Sequence, residues 1–508
     1  MARLFGIPGS IRCRRALVVV LAVTSLLSGG RPLAAKTPLE LLGETPKPRF
    51  RQGHTLLPLT RWGWSMPFDV RVELAEHWGY ALEFGGQATP RNTAQLDDPE
   101  STAAKICALA AADPAKYRLC VLLYRPFLDK QFRQQLPEEA WCHDAEGNLI
   151  EAPRRRLSPE APDKIFHDAA ALSIEALDKI RAKAPIAMVL NGGEYALGVF
   201  GFCGEAWGQD PEVLRAKGDR DWFDYLSERK ADQERVISDA VRRAVPDRLL
   251  YIYYHTSGCP HREKNTTWWH WAWDYRWMKP VSDIANSSIY YKQFNSGWTG
   301  GDDMLTQQLN AVGRNIALGE PLSYNWLCAG WTQEKLGDEA FSDMQHYMGY
   351  LKCCYTAGMI GGVAGYFSYP KGGFDQDLGD EMPSWLAQQV VLAHAHALFS
   401  HHEEMLRQGD LLPGPEKHRY SEDQPAYELP TGDPDLRVLA RKHRRRDEWL
   451  ITAWAAGGED RSATVTIPGL GDVTPEARAC GSVYRATIHA GRPSLELLDP
   501  NGMYPTAR

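Results

Sequence analysis

The sequence predicts an α/β fold: a (β/α)8 TIM barrel over residues 50–405, a linker at 406–434, and a small C-terminal antiparallel β domain of sandwich type at 435–508. Three observations lead there. From residue 50 to about 405, short apolar runs alternate with longer amphipathic ones, the texture of repeated βα units. Eight such apolar runs can be read, the number a closed barrel of this kind uses. After the Pro- and Gly-rich connector "GDLLPGPEKHRYSEDQPAYELPTGDPD" the period changes to simple alternation broken by turns, which points to antiparallel strands.

The eight expected strands are, in order, "HTLLPLTRWG" from 54, "YALEFGG" from 80, "YRLCVLLYRP" from 117, "PIAMVLNGGE" from 185, "RLLYIYYHTSG" from 248, "SSIYYKQFNSG" from 287, "PLSYNWLCAGW" from 321 and "GGVAGYFSYP" from 361. Helical periodicity appears between them in "PFDVRVELAEHWG", "PDKIFHDAAALSIEALDKIRAKA", "SERKADQERVISDAVRRAV", "DMLTQQLNAVGRNIALG" and "FSDMQHYMGYLKCCYTAGM", and after the last strand in "PSWLAQQVVLAHAHALFSHHEEML". An open doubly wound sheet would want a Gly-rich phosphate loop after an early strand, and none is present. In the C-terminal region "LRVLARKH", "EWLITAWAA", "SATVTIPGLG", "SVYRATIHA" and "SLELLDP" read as strands, with "RKHRRRDE" as the solvated turn of the first hairpin.

Length, charge and composition bound the function. A chain of 508 residues exceeds what one core usually fills and predicts two domains. A formal net charge of -7 gives no footing for a nucleic-acid partner. Residues 1–35 have the layout of a secretory signal peptide: Arg3, Arg12, Arg14 and Arg15, then "ALVVVLAVTSLL", then small residues up to Ala35. The apolar run falls short of the roughly 20 residues a membrane span needs, so the mature chain is expected to be secreted or periplasmic, with no membrane span left after cleavage. Of ten cysteines, Cys142, Cys203 and Cys259 fall in loops where an oxidising compartment would let them pair. Cys107, Cys120, Cys328, Cys353 and Cys354 sit in apolar segments as buried thiols. No C-x-x-C spacing announces a zinc site, and neither a metal nor a cofactor is expected.

Active sites of such barrels are built from loops after the strands, so strand ends carry the candidates. Glu194 follows the fourth run three positions after Asn191, in a glycine-flanked loop with Tyr195, and Glu205 and Trp207 stand further along it. Glu83 lies in the second run, His255 after the fifth, and Lys292, Asn295 and Trp298 in or after the sixth. Asn325, Trp326 and Trp331 come from the seventh and Tyr366 from the eighth. Flat aromatics mixed with hydrogen-bonding groups suit a polyhydroxylated ligand, because sugar C–H faces pack on rings while hydroxyls need fixed partners. A carbohydrate is therefore the expected substrate.

Through these residues the chain resembles (β/α)8-barrel glycoside hydrolases, in particular the broad clan whose acid/base glutamate follows the fourth strand just after an asparagine. Here Asn191 and Glu194 carry the resemblance, with two glycines between them. That clan's nucleophilic glutamate lies at the seventh strand, where this chain has Asn325, and the nearest acid downstream is Glu334. The resemblance implies glycosidic-bond hydrolysis by two carboxyl groups, one a proton donor and one ionised. Glu194 is the candidate donor and Glu334 its candidate partner; Glu83, Glu205 and the pair Asp302-Asp303 remain alternatives for the second role. Two other functions stay open: a non-catalytic carbohydrate-binding barrel, and a lyase on acidic polysaccharides using Tyr254, His255 or Lys292 as base. His394, His396 and the run His401-His402-Glu403-Glu404 look metal-like, yet on the helix after the last strand they are expected to form a partly exposed helix face.

Overall fold

A computed structural model describes residues 38–61, 66–151, 155–192, 204–245, 249–254, 256–257, 272–273, 275–284, 288–290, 324–328, 344–360, 363–365, 384–418, 421–425, 427–455 and 459–499. Helix α1 (Phe68–His77) precedes strand β1 (Leu82–Gln87), α2 (Thr102–Ala112) precedes β2 (Leu119–Leu122), and α3 (Asp163–Arg181) precedes β3 (Ile186–Gly192). Helix α4 (Trp222–Ala244) then leads to β4 (Leu250–Tyr254). Further on come β5 (Ser288–Tyr290), β6 (Asn325–Cys328), α5 (Met344–Ile360), β7 (Val363–Gly365), α6 (Ser384–Ser400) and α7 (Glu403–Gln408). Each of these strands falls inside one of the apolar runs except β1, which runs one residue past its run to Gln87, and the first run contributes a parallel bridge between Leu59 and Tyr80.

Local chemistry explains the elements. Helix α3 buries Ile165, Phe166, Ala169, Ala170, Ser173, Ala176, Leu177 and Ile180, a stripe at three- and four-residue spacing. Asp163 in its first turn and Lys179 and Arg181 in its last complement the helix dipole. Helix α2 is not among the periodic segments; its alanine-rich sequence has high intrinsic propensity, and Ser101 caps it by accepting the Ala104 N–H at 3.1 Å. In β1 the ladder slips between Glu83 and Gln87, where Gly85 and Gly86 take φ of +98° and +73°. The positive φ favours glycine at 85, and a Cβ there would also have to displace the Arg71 guanidinium.

Strands β1-β2-β3-β4 form one parallel sheet in that order and β5-β6-β7 another. Alternation gives the first sheet two differently used faces. Leu82, Phe84, Val121, Val189, Tyr251 and Tyr253 pack in the same cluster as helices α2, α3 and α4. On the other face Ala81, Cys120, Met188, Leu190 and Ile252 cluster with Tyr324 and Trp326, which belong to the second sheet's β6 and the residue before it. The two sheets thus share one interior. The Tyr324 hydroxyl reinforces it by donating to Pro58 O, with Thr60 Oγ1 at 3.2 Å.

Helix α6 is buried along almost its whole length, packed among α5, the N-terminal segment and the C-terminal sheet. This corrects the expectation of a partly exposed histidine face: His394 and His396 are buried, and only His401, just past the helix end, is exposed. Burial pulls His394 down to about 4 and His396 to about 3, so both are neutral at pH 7. Glu403 is not a metal ligand either, since its carboxylate accepts the Leu56 N–H at 2.9 Å and the Thr55 hydroxyl at 2.7 Å, tying α7 to the segment before the first bridge. Cys142, expected in a loop, is buried in the main core beside Trp141. Burial pushes the Cys107 thiol up to about 11 and the Cys480 thiol up to about 12.

The C-terminal sheet is antiparallel. Its order is β8 (Gly409–Leu411), β9 (Leu436–His443), β10 (Glu448–Ala455), β11 (Ser482–His489) and β12 (Arg492–Leu497). The basic run 444–446 is the turn between β9 and β10, as expected, and β8 is drawn from the segment read as linker. Residues Leu439, Leu450, Trp454 and Val483 of this sheet pack in one cluster with Tyr347, Leu351 and Phe399 of α5 and α6. At that seam Arg441, 1% exposed, donates to Met359 O (3.2 Å) and Ile360 O (3.1 Å) at the end of α5, and to Leu406 O (3.2 Å) and Gly409 O (2.8 Å) at the end of α7. One guanidinium thereby satisfies carbonyls that two helix C-termini leave without intrahelical partners.

Candidate active site

In a parallel sheet all strands end on one side, so the residues after β1 to β4 share a rim. The register fixes heights along it. Glu83 stands opposite Cys120, Cys120 opposite Met188 and Met188 opposite Leu250, whereas Asn191 stands opposite Tyr253 three residues further along. At about 3.3 Å per residue, Glu83 lies about 10 Å below the rung of Asn191.

Alternation decides where each side chain goes. Met188 and Leu190 belong to the interior and Val189 to the helix-facing cluster, and Asn191 has the parity of Val189. Its side chain accordingly turns to helix α4: Nδ2 donates to Glu234 Oε2 at 2.9 Å and to the Tyr251 hydroxyl at 2.7 Å, and the residue is 1% exposed. Asn191 therefore belongs to the layer between sheet and helix, which corrects its expected place in a ligand-facing lining.

The partner it finds there is not among the residues the sequence singles out. Glu234, whose side chain is 4% exposed, accepts from Arg125 Nη2 at 3.1 Å and from Lys230 Nζ at 2.5 Å through the same oxygen, Oε1. Arg125 comes three residues after β2 and Lys230 one turn earlier on α4, and the Lys230 ammonium also lies 5.8 Å from the Tyr253 ring centre. Burial pushes the Glu234 carboxyl up, but Lys230 and Arg125 outweigh it and hold it below the usual carboxylate range. Burial is the larger influence on Lys230 and pulls its ammonium down to about 8 in spite of Glu234. Two cations and one anion are thus enclosed together, while Arg125 Nη1 and Asn191 Oδ1 carry no hydrogen bond. A signal for Glu234 does exist in the pattern: Ser227, Lys230, Glu234, Ile237, Ser238 and Val241 are all buried and recur at helical spacing.

Glu83 has the interior parity of Ala81 and forms an ion pair with the buried Arg61. Its side chain is 13% exposed, and Oε1 is left without a hydrogen bond. Arg71, folded over Gly85, adds a second guanidinium nearby, pulled down to about 10 first by burial and then by Arg61. This pair sits at mid-strand height and not at the rim.

The other expected site residues are distributed as follows. Trp207, in the short helix Gly204–Trp207, is 2% exposed and its indole N–H donates to Leu157 O at 3.1 Å, so the ring is taken up by the core and has no open face for a ligand. Trp326 is fully buried in the shared interior, edge-on to Tyr324 at 5.9 Å. Asn325 begins β6 and Glu205 lies in the helix that carries Trp207. Glu194, Tyr195, His255, Lys292, Asn295, Trp298, Trp331, Glu334 and Tyr366 lie outside the described residues, as does the Asp302-Asp303 pair. Among the described residues, no three His, Cys, Asp or Glu side chains are grouped to hold a metal ion, and no helix is long and apolar enough to cross a membrane.

No family model matches the chain, and no curated protein matches it in sequence. Solved structures do. They include an α-amylase of Geobacillus thermoleovorans (10% identity, 85% of this chain and 99% of that one, TM-score 0.39). An α-galactosidase of Geobacillus stearothermophilus is another, at 11% identity over 91% of this chain and 58% of that one, with a TM-score of 0.42. A Cellulomonas fimi endo-β-1,4-mannanase is a third, at 10% identity over 85% and 84% of the two chains, with a TM-score of 0.33. All three are glycoside hydrolases by description.

Proposed function

We propose that the chain is an exported glycoside hydrolase in which the two parallel sheets close into a (β/α)8 barrel over residues 50–405 and Glu194 donates the proton to the glycosidic oxygen. The observation that carries this is the alternation along β3. Met188 and Leu190 face the shared interior, whereas Asn191 is held on the opposite face by Glu234, and Glu194 follows in the sequence two residues after Gly192, the last residue of β3. Closure is supported by the common cluster of Ala81, Cys120, Met188, Ile252, Tyr324 and Trp326, which draws on both sheets. The second carboxylate is Glu334 in this reading, with Glu83 disfavoured because Arg61 already occupies one of its oxygens at mid-strand height. The substrate is a polysaccharide or oligosaccharide, residues 1–35 act as the export signal, and residues 435–508 form the body of a small β domain reached through the 406–434 connector.

The experiment is hydrolysis of a panel of polysaccharides and aryl glycosides by wild type and Glu194→Gln. Loss of a general acid lowers the rate by about 10²-fold or more. Equal rates would remove Glu194 from the mechanism. Sugar binding without turnover by wild type would identify a carbohydrate-binding barrel instead, and an unsaturated product absorbing in the ultraviolet would identify a lyase.

A further inference from the structure

We propose that residues 45–57 form an acid-opened flap over the end of helix α6, closed while His396 is neutral and released when that ring takes up a proton. Nothing in it depends on the glycosidase reading. Both ends of the segment are fixed. Before it, the short helix Pro38–Glu44 places Leu42 in the same apolar cluster as α5 and α6. After it, the Leu59 N–H donates to Gly79 O at 2.9 Å and the Ala81 N–H to Leu59 O at 2.8 Å, so the chain joins the first sheet there. Residues 45–57 themselves carry no helix or strand. Arg51–His54 make a tight turn, closed by the His54 N–H donating to Arg51 O at 3.1 Å, with Gly53 at φ +69°.

The flap is held by bonds to the ends of α6 and α7. Glu403 takes the most: Oε1 accepts the Thr55 N–H at 2.5 Å and the Leu56 N–H at 2.9 Å, and Oε2 accepts the Thr55 hydroxyl at 2.7 Å. Ser400 Oγ accepts the Arg51 N–H at 3.0 Å, Arg407 Nη2 donates to Thr55 O at 3.2 Å, and His401 Nε2 lies 2.9 Å from Arg49 O. Beside these bonds Phe50 and His54 stack at 5.1 Å, and each meets the His396 ring edge-on at 6.0 Å. Gly79 closes in from another side, for a Cβ there would come within 2.7 Å of the Phe50 ring and 3.3 Å of the His396 ring. His396 is thereby buried, and its Nε2 makes no hydrogen bond.

A neutral imidazole fits that place as an aromatic ring, whereas a protonated one would be a buried cation whose Nε2 has no acceptor. The charged and titratable groups facing the contact are Arg49, Arg51 and His54 on the flap, His401, His402, Glu403 and Arg407 beyond α6, and Arg118 before β2. Burial is the first cause that pulls His396 down to about 3, and His54 and Arg118 add to it. Opening puts the ring in water, where it protonates near 6.5, so closure is complete above that pH and weakens as pH falls toward 3. His54 acts in the same direction, lowered by burial although Glu403 opposes it. Burial pushes Glu403 up, but its bonds to Thr55 and Leu56 outweigh that and keep it lowered, so it enters only at more acid pH. Between pH 7.5 and 5.0 one such histidine raises the opening constant about 30-fold.

Hydrogen exchange on the full chain, read residue by residue and corrected for the intrinsic pH dependence of exchange, tests this. Protection at Thr55 and Leu56 is expected to fall about 30-fold or more from pH 7.5 to 5.0, while Leu59 and the ladder between β9 and β10 stay protected. In His396→Phe, which keeps an aromatic ring in place, that fall shrinks at least about fivefold. Glu403→Gln lowers protection at 55 and 56 about tenfold at both pH values and leaves the pH response in place. A fall that is absent in wild type, equal at Leu59, or undiminished in His396→Phe overturns the proposal, and so does unchanged protection in Glu403→Gln. Should His396→Phe not fold, the wild-type contrast between 55–56 and 59, together with Glu403→Gln, still decides.

Discussion

Replacing Arg441 by methionine should weaken the whole molecule. The side chain is buried on β9 and gives four hydrogen bonds, two to the last carbonyls of α5 and two to those closing α7. Bonds from a charged donor contribute about 1.5–3 kcal/mol each, so the gross loss is about 6–12 kcal/mol. Burial offsets part of that, for it pulls the guanidinium down to about 10, a penalty of roughly 3 kcal/mol that methionine does not incur. Incomplete rescue of the orphaned carbonyls by water leaves a net destabilisation of about 3–5 kcal/mol. Arg441→Lys keeps the charge and the stem but reaches fewer carbonyls at once, and should fall between the two. The assay is urea unfolding followed by tryptophan fluorescence together with far-ultraviolet circular dichroism. A stability for Arg441→Met within about 1 kcal/mol of wild type would refute the idea that this side chain joins the C-terminal sheet to the helices.

Two other outcomes follow from the same packing. His394 and His396 are held neutral well below the ordinary histidine pKa, so unfolding takes up protons as pH falls. Their stability contribution is complete above about pH 6.5 and declines toward pH 4 at about 1.4 kcal/mol per pH unit for each group. Urea midpoints at pH 7.5 and 5.0 measure it, and His396→Phe should show a smaller loss than wild type; an equal loss would sink the assignment. Gly358 lies in α5 where a Cβ would enter the Phe399 ring of α6. Gly358→Ala gains about 1 kcal/mol of helix propensity but overpacks a closed seam at a cost of about 1–3 kcal/mol. It should destabilise, with the loss relieved in Gly358→Ala/Phe399→Leu; a thermal midpoint above wild type for the single variant would contradict the close approach of the helices.

The strands are legible in the sequence because a two-sided buried strand is a short continuous apolar run bounded by turn residues, as in "IAMVL" of β3. Helix α2 is hard to read because alanines blur the contrast between faces, and β8 because "GDL" carries one aspartate and a glycine in a connector rich in turn formers. The candidate site is legible only in part. Asn191 is a strand-end residue, as expected, but its face depends on the parity of the strand, and one residue of offset moves it from interior to helix layer. Glu234 and Lys230 have the spacing of a solvated i,i+4 pair, and only the three-dimensional partner Arg125 gives a buried carboxylate there a purpose. Trp207 has the chemistry of a sugar platform but spends its N–H on Leu157.

The cluster joining Tyr347, Leu351 and Phe399 to Leu450, Trp454 and Val483 has a consequence for how this protein can be cut. A chain ended at the connector would leave the outer faces of α5 and α6 as a bare apolar slab, with the carbonyls served by Arg441 open to water. Such a fragment would be expected to clump or to recruit another copy to cover the slab. The C-terminal strands are therefore no detachable appendage, and gene-level shuffling that separated them from the preceding helices would yield two insoluble halves where there had been one folded body.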